Sequence, residues 1–151
     1  MRILGLLSVA AISAALCMSC SSSSSTATPA SAVTQPIGPE GGAIEVGGAV
    51  VTFPKGAVAA STSVTISVQD GSTAPEGFLA LSKVFKCEPS GTEFAQPVEM
   101  RMPFDDDGKG GTLFWSSGAD PAFKDLGGKV DGRVMVATVK HFSSGFVGRK
   151  K

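Results

Sequence analysis

The stretch TVKHFSSGFV, residues 138–147, holds the chain's one histidine, His141, beside Phe142 and the serines Ser143 and Ser144. An imidazole can take a proton near neutral pH, and a serine hydroxyl becomes a nucleophile when such a base adjoins it. The same residues also read as the closing strand of a passive domain, with Phe142 in the core and His141 and Ser143 turned the other way. A second candidate is the run Asp105, Asp106 and Asp107 before Gly108. Clustered carboxylates suit a hard cation, and Asp105 and Asp107 would be the calcium ligands. Lys109 stands where an EF-hand loop begun at Asp105 would place its next acid, so the run reads first as a solvated acidic turn. One histidine and a distant cysteine make no zinc pattern, and the Gly-Gly pairs lack the strand-to-helix context of a phosphate loop. No metal or cofactor is expected.

The N-terminal run points to export, and the cysteines are read in that light. The chain has three cysteines, Cys17, Cys20 and Cys87, in 151 residues. MRILGLLSVAAISAALCMSC carries one basic residue, Arg2, and then an uninterrupted apolar and small-residue run, as a secretory signal does. Ser19-Cys20 resembles the bacterial lipobox, in which a small residue precedes a cysteine that is diacylated, exposed by cleavage and acylated on its new amino group. The resemblance implies cleavage between Ser19 and Cys20 and lipid on Cys20. Ser21 in the next position implies sorting to the outer membrane. Several acyl chains hold a protein to a bilayer essentially permanently, because each buried methylene contributes about 0.8 kcal/mol. Cys87 is then alone, ends the apolar run LALSKVFKC, and is expected as a buried small hydrophobe with no disulfide partner.

The expected organisation is a signal peptide over 1–19, a lipidated tether over 20–35, one domain over 36–148 and a basic tail over 149–151. The tether, CSSSSSTATPASAVTQ, is polar and small-sided and has no apolar period with which to build a core. GRKK at the end reads as a frayed tail. Formal net charge is zero, and about minus one once Arg2 is lost, which argues against a nucleic-acid partner.

The domain must position these residues on strands. AIEV meets AVVTF across Gly47-Gly48, a tight-hairpin pattern. TSVTISVQ sets Val64, Ile66 and Val68 on one face; PVEMRMPF does the same for Val98, Met100, Met102 and Phe104. GRVMVATV divides into Val134, Val136 and Thr138 against Met135, Ala137 and Val139. Glycine and proline punctuate every gap, and no helical period appears after the signal. Short strands at such spacing predict an all-β antiparallel sandwich of two packed sheets. Trp115 beside Phe114 offers an aromatic for binding, since period two turns only one of the two rings to the core.

The blocks GPEGGAIEVGGAVVTFPKGAV, TSVTISV, CEPSGTEFAQPVEMRMPF, LFW and VATVKHFSSGFV, taken in order, resemble the ZU5 domain known from ankyrins, netrin receptors, tight-junction scaffolds and many bacterial surface proteins. The resemblance runs from Pro36 to Val147. It implies a β-sandwich and an interaction or structural module more often than an enzyme. In relatives within death-domain adaptors and inflammasome sensors a His-Phe-Ser triplet is where the chain cuts itself, and His141, Phe142 and Ser143 match that triplet. The cut would have Ser143 attack the Phe142 carbonyl, with His141 as general base and water opening the resulting ester. The expected role is a lipid-anchored, non-catalytic module of the cell envelope, with the membrane and an envelope protein or glycan as partners. Autoproteolysis between Phe142 and Ser143, and a passive spacer, are the alternatives.

Overall fold

The computed structural model describes residues 31–69, 74–117 and 122–151. Ser19, Cys20 and residues 21–30 of the expected tether lie outside the described residues. Among the described residues twelve strands form: β1 (Ala32–Ile37), β2 (Gly42–Val46), β3 (Ala49–Phe53), β4 (Thr62–Gln69), β5 (Phe78–Ala80), β6 (Val84–Glu88), β7 (Glu93–Pro103), β8 (Thr112–Ser116), β9 (Phe123–Gly127), β10 (Lys129–Asp131), β11 (Val134–His141) and β12 (Ser144–Lys150). They pair antiparallel into a seven-stranded sheet ordered β1-β4-β6-β12-β8-β9, with β5 also on β12, and a five-stranded sheet ordered β10-β11-β7-β3-β2.

The alternating residues decide which faces meet. Val64, Ile66 and Val68 of β4 face Val98, Met100 and Met102 of β7 and Met135, Ala137 and Val139 of β11 in one buried core. Every one of these is at most 8% exposed. Burying a side chain of this kind contributes about 1.5–3 kcal/mol, so the alternation itself fixes the sandwich. The β2–β3 hairpin closes over Gly47 and Gly48 at φ 58° and 81°, the left-handed conformation that a two-residue hairpin turn demands.

At both flanks the chain passes directly from one sheet to the other. β1 leads into β2 through the Gly38–Gly41 bridge, and β9 leads into β10 across Gly127 and Gly128. The edge strands of the two sheets are thus consecutive in the chain, which blunts the edges.

Two expected boundaries are corrected. The tether does not reach Gln35, because Ala32–Ile37 is β1, paired with β4 from Ala32↔Ser67 to Ile37↔Thr62. It escapes a periodicity reading because only Ile37 of the six residues is buried. An edge strand needs backbone partners more than an apolar face, and its Pro36 is tolerated there. The tail at 149–151 is not frayed either. Arg149 and Lys150 pair with Leu79 and Phe78 of β5, and Lys151 donates its backbone N–H to Gly77 O at 2.9 Å.

β12 lies inside the large sheet, between β8 on one side and β6 and β5 on the other. Gly145 makes that fit possible: a Cβ there would stand 2.2 Å from Trp115 Cε3 and 2.6 Å from Phe114 O. The glycine that looks like a strand breaker is the space into which the Trp115 ring packs.

Candidate functional site

His141, Phe142 and Ser143 occupy the junction of β11 and β12 at one end of the sandwich. Phe142 enters the core at 1% exposure, and its ring meets Phe94 and Phe53 edge to face, with centroids 4.7 and 5.8 Å away. Its backbone is held from the turn after β6: Phe142 N–H donates to Thr92 O at 2.9 Å, and Gly91 N–H donates to Phe142 O at 2.8 Å.

The polar members of the triplet both turn to Ser116 at the end of β8. His141 Nε2 lies 3.1 Å from the Ser116 carbonyl oxygen. A carbonyl only accepts, so Nε2 carries a proton in this arrangement and acts as a donor. Ser143 Oγ bonds the hydroxyl of Ser116, whose Oγ also lies 3.5 Å from Ser144 N. Ser116 and Ser143 are the buried polar residues among those described. Sequence reading did not single out Ser116, which stands 25 residues before His141 and shares no motif with it. Ser143 is buried at 3% exposure rather than turned to solvent, and its carbonyl accepts Cys87 N–H at 2.8 Å. Cys87 is itself fully buried, and that burial pushes its thiol pKa up to about 12.

The other end of the sandwich is open. A cavity of about 590 Å³ lies there, with Phe85 and Phe104 in its lining and Leu81, Pro103, Asp105 and Arg133 around them. No local motif announces it, because its residues come from separate turns.

A family model for the ZU5 domain matches residues 33–112. The chain belongs to the ZU5 family. The match starts inside β1, in keeping with the corrected domain boundary, and stops at the first residue of β8. The His141 triplet and β12 therefore lie beyond the matched part of this ZU5 domain. No curated protein matches the chain.

The acidic run sits on the loop of the ZU5 domain between β7 and β8, where Arg149 engages Asp107. Arg149 Nη1 lies 2.7 Å from Asp107 Oδ1, and its Nη2 bonds Oδ2. That two-pronged pair holds the Asp107 carboxyl well below the usual carboxylate range and raises the guanidinium pKa. Asp106 Oδ1 accepts Gly108 N–H at 2.9 Å, closing the turn. The candidate calcium ligands Asp105 and Asp107 are not brought together around a common centre, since Asp107 faces Arg149 and Asp105 borders the cavity. Among the described residues no group of three or more His, Cys, Asp or Glu side chains converges.

Neither Phe114 nor Trp115 presents an exposed ring, for both are 1% exposed. Trp115 faces the core and donates its indole N–H to His141 O at 3.2 Å. Phe114 points to the outer face of the large sheet and is covered there by Phe78 and stacked on Phe146, with centroids 4.8 and 5.6 Å away. Period two correctly separates the two rings, but it cannot foresee that β5 folds back to bury the outer one.

Proposed function

We propose that this chain is a lipid-anchored cell-envelope protein, held at the outer membrane through Cys20, whose ZU5 sandwich serves as a non-catalytic interaction or structural module. An envelope protein or a glycan is the partner class. What carries the non-catalytic part is the bonding of the triplet: His141 Nε2 donates to Ser116 O, while the Ser143 hydroxyl pairs with that of Ser116. A general base must accept the nucleophile's proton, and among the described residues the His141 ring is hydrogen-bonded to Ser116 O and not to the Ser143 hydroxyl. The anchor rests on the lipobox resemblance at Ser19-Cys20.

The second reading is autoproteolysis between Phe142 and Ser143. It is favoured by the Gly91 N–H, which lies 2.8 Å from the Phe142 carbonyl oxygen and would polarise the bond to be attacked. Denatured intact mass of the chain from Ser21 onward, beside Ser143→Ala, separates the two. The module reading expects one full-length mass in both. A wild-type species ending at Phe142 and absent from the variant would replace it with self-cleavage. Denaturation is essential, because β12 is bonded to β5, β6 and β8 and would stay in the sheet after a cut. Fractionation of cells making the full chain tests the anchor: Cys20→Ala should move the protein from membrane to soluble fraction.

A further inference from the structure

We propose that the open end of the sandwich is a binding site for a small zwitterion with an apolar body, a molecule of the amino-acid class with a large aliphatic or aromatic side chain. The inference goes beyond the module reading and does not depend on it.

The first support is the pattern of charge. Arg101 is paired with Asp131 and Glu99, and Arg149 with Asp107. Lys83 also lines the cavity but already has a partner, whereas Arg133 and Asp105 line it and, among the described residues, neither of these two side chains forms an ion pair or a hydrogen bond, with the other or with a third group. Within the acidic run Asp106 and Asp107 are engaged by Gly108 and Arg149, so Asp105 alone is left to the cavity. A cation and an anion bordering one cavity without meeting each other fit a ligand that carries both charges. The guanidinium fork suits a carboxylate, and the aspartate suits an ammonium.

The second support is the floor. Phe85 and Phe104 are 1% and 4% exposed and form the apolar lining with Leu81 and Pro103. About 590 Å³ falls within the range of roughly 300–1,000 Å³ usual for small-molecule sites with apolar walls and a few placed polar groups.

The third is that the walls are tied together before any ligand arrives. Asp105 N–H donates to Leu81 O at 2.8 Å, and Phe104 N–H donates to Arg133 O at 3.0 Å. The loop at 81–83 is fixed to β12, since Leu81 and Ser82 N–H both reach Val147 O and Val147 N–H reaches Ser82 Oγ at 2.8 Å. The backbone beneath both charged side chains is therefore set, which lowers the ordering cost of binding.

The test is an NMR titration of the chain from Ser21 onward, which keeps every described residue, with three probes: L-phenylalanine, 3-phenylpropionate, which lacks the ammonium, and 2-phenylethylamine, which lacks the carboxylate. Saturable shifts are expected at the amides of Leu81, Ser82, Phe104 and Asp105. L-phenylalanine should bind about tenfold more tightly than either one-headed probe, the size of a lost charge-assisted hydrogen bond. Arg133→Gln should remove its advantage over 2-phenylethylamine, and Asp105→Asn its advantage over 3-phenylpropionate. Both positions are exposed, so an unchanged amide spectrum away from the cavity should accompany each variant. Absence of saturable shifts with all three probes, equal affinity for the three, or indifference to both substitutions overturns the proposal. The wild-type comparison among probes decides it even if a variant fails to fold.

Discussion

At one end of the sandwich Phe53, Phe94 and Phe142 interlock with ring centroids 4.7–5.9 Å apart; at the other, Phe85 and Phe104 line a cavity of about 590 Å³. The closed end holds the histidine and serine whose types suggest chemistry, and it bonds both to Ser116 while the Phe142 backbone between them is bonded to the turn at Gly91 and Thr92. The open end has no motif, yet its Asp105 and Arg133 side chains are left unpaired among the described residues. Reactive residue types and available residues are thus at opposite ends. In a protein whose interior is close-packed, a polar side chain is available for a ligand only where the packing stops.

The contrast is most easily broken by truncation. Phe142→Ala should lower stability by about 3–5 kcal/mol, as aromatic deletions in a core do. Arg133→Gln at the open end should change it by less than about 0.5 kcal/mol. Urea unfolding of both gives the answer, and similar losses would mean that the ends are not different in kind. Next in size is Gly145→Ala, where the new methyl collides with Trp115 and the β8 backbone. A cost of about 1–3 kcal/mol is expected for overpacking, with a shift in Trp115 fluorescence as its signature.

A smaller effect distinguishes packing from chemistry at the closed end. Ser143→Ala removes a buried hydroxyl pair and should cost about 1 kcal/mol while leaving the chain's mass profile that of an uncut protein. Cys87, next to this junction and with its pKa pushed up to about 12, should react with a thiol reagent at neutral pH only as fast as the domain unfolds. Labelling much faster than unfolding would show that the closed end opens locally.

The smallest expected effect is at the open end and depends on pH. Asp107 is held below the usual carboxylate range by Arg149, so the folded state prefers the ionised carboxyl. That preference contributes fully at pH values above the unfolded carboxyl's pKa of about 3.9 and is lost as pH falls through the lower folded value. Asp107→Asn should therefore be slightly less stable than wild type near neutrality and indistinguishable in strong acid, by denaturant unfolding across a pH series. A gap that widened on acidification would reverse the assignment.

Much of the fold was legible because its central strands bury one face. Val64, Ile66 and Val68, or Val98, Met100, Met102 and Phe104, repeat at the period of a strand and point where that period says. The misses have physical causes. β1 buries too little to show a pattern, and β12 is written around Gly145 and Gly148, whose missing side chains make room for Trp115 and for the β5 backbone at Leu79. The triplet was legible as residue types, but not its attachment to Ser116, which depends on β8 and β12 pairing at Gly145↔Trp115. The cavity was not legible at all, since Leu81, Asp105 and Arg133 share only their neighbourhood in space.

The place of β12 in the large sheet has a consequence for how the molecule is made. It is the last strand of the domain in chain order, yet it joins β6 to β8. Until it emerges, the sheet exists only as two unconnected pieces, β1-β4-β6 and β8-β9. The large sheet is therefore completed only by its final strand: before β12 is added, β6 and β8 have no hydrogen-bonded strand between them.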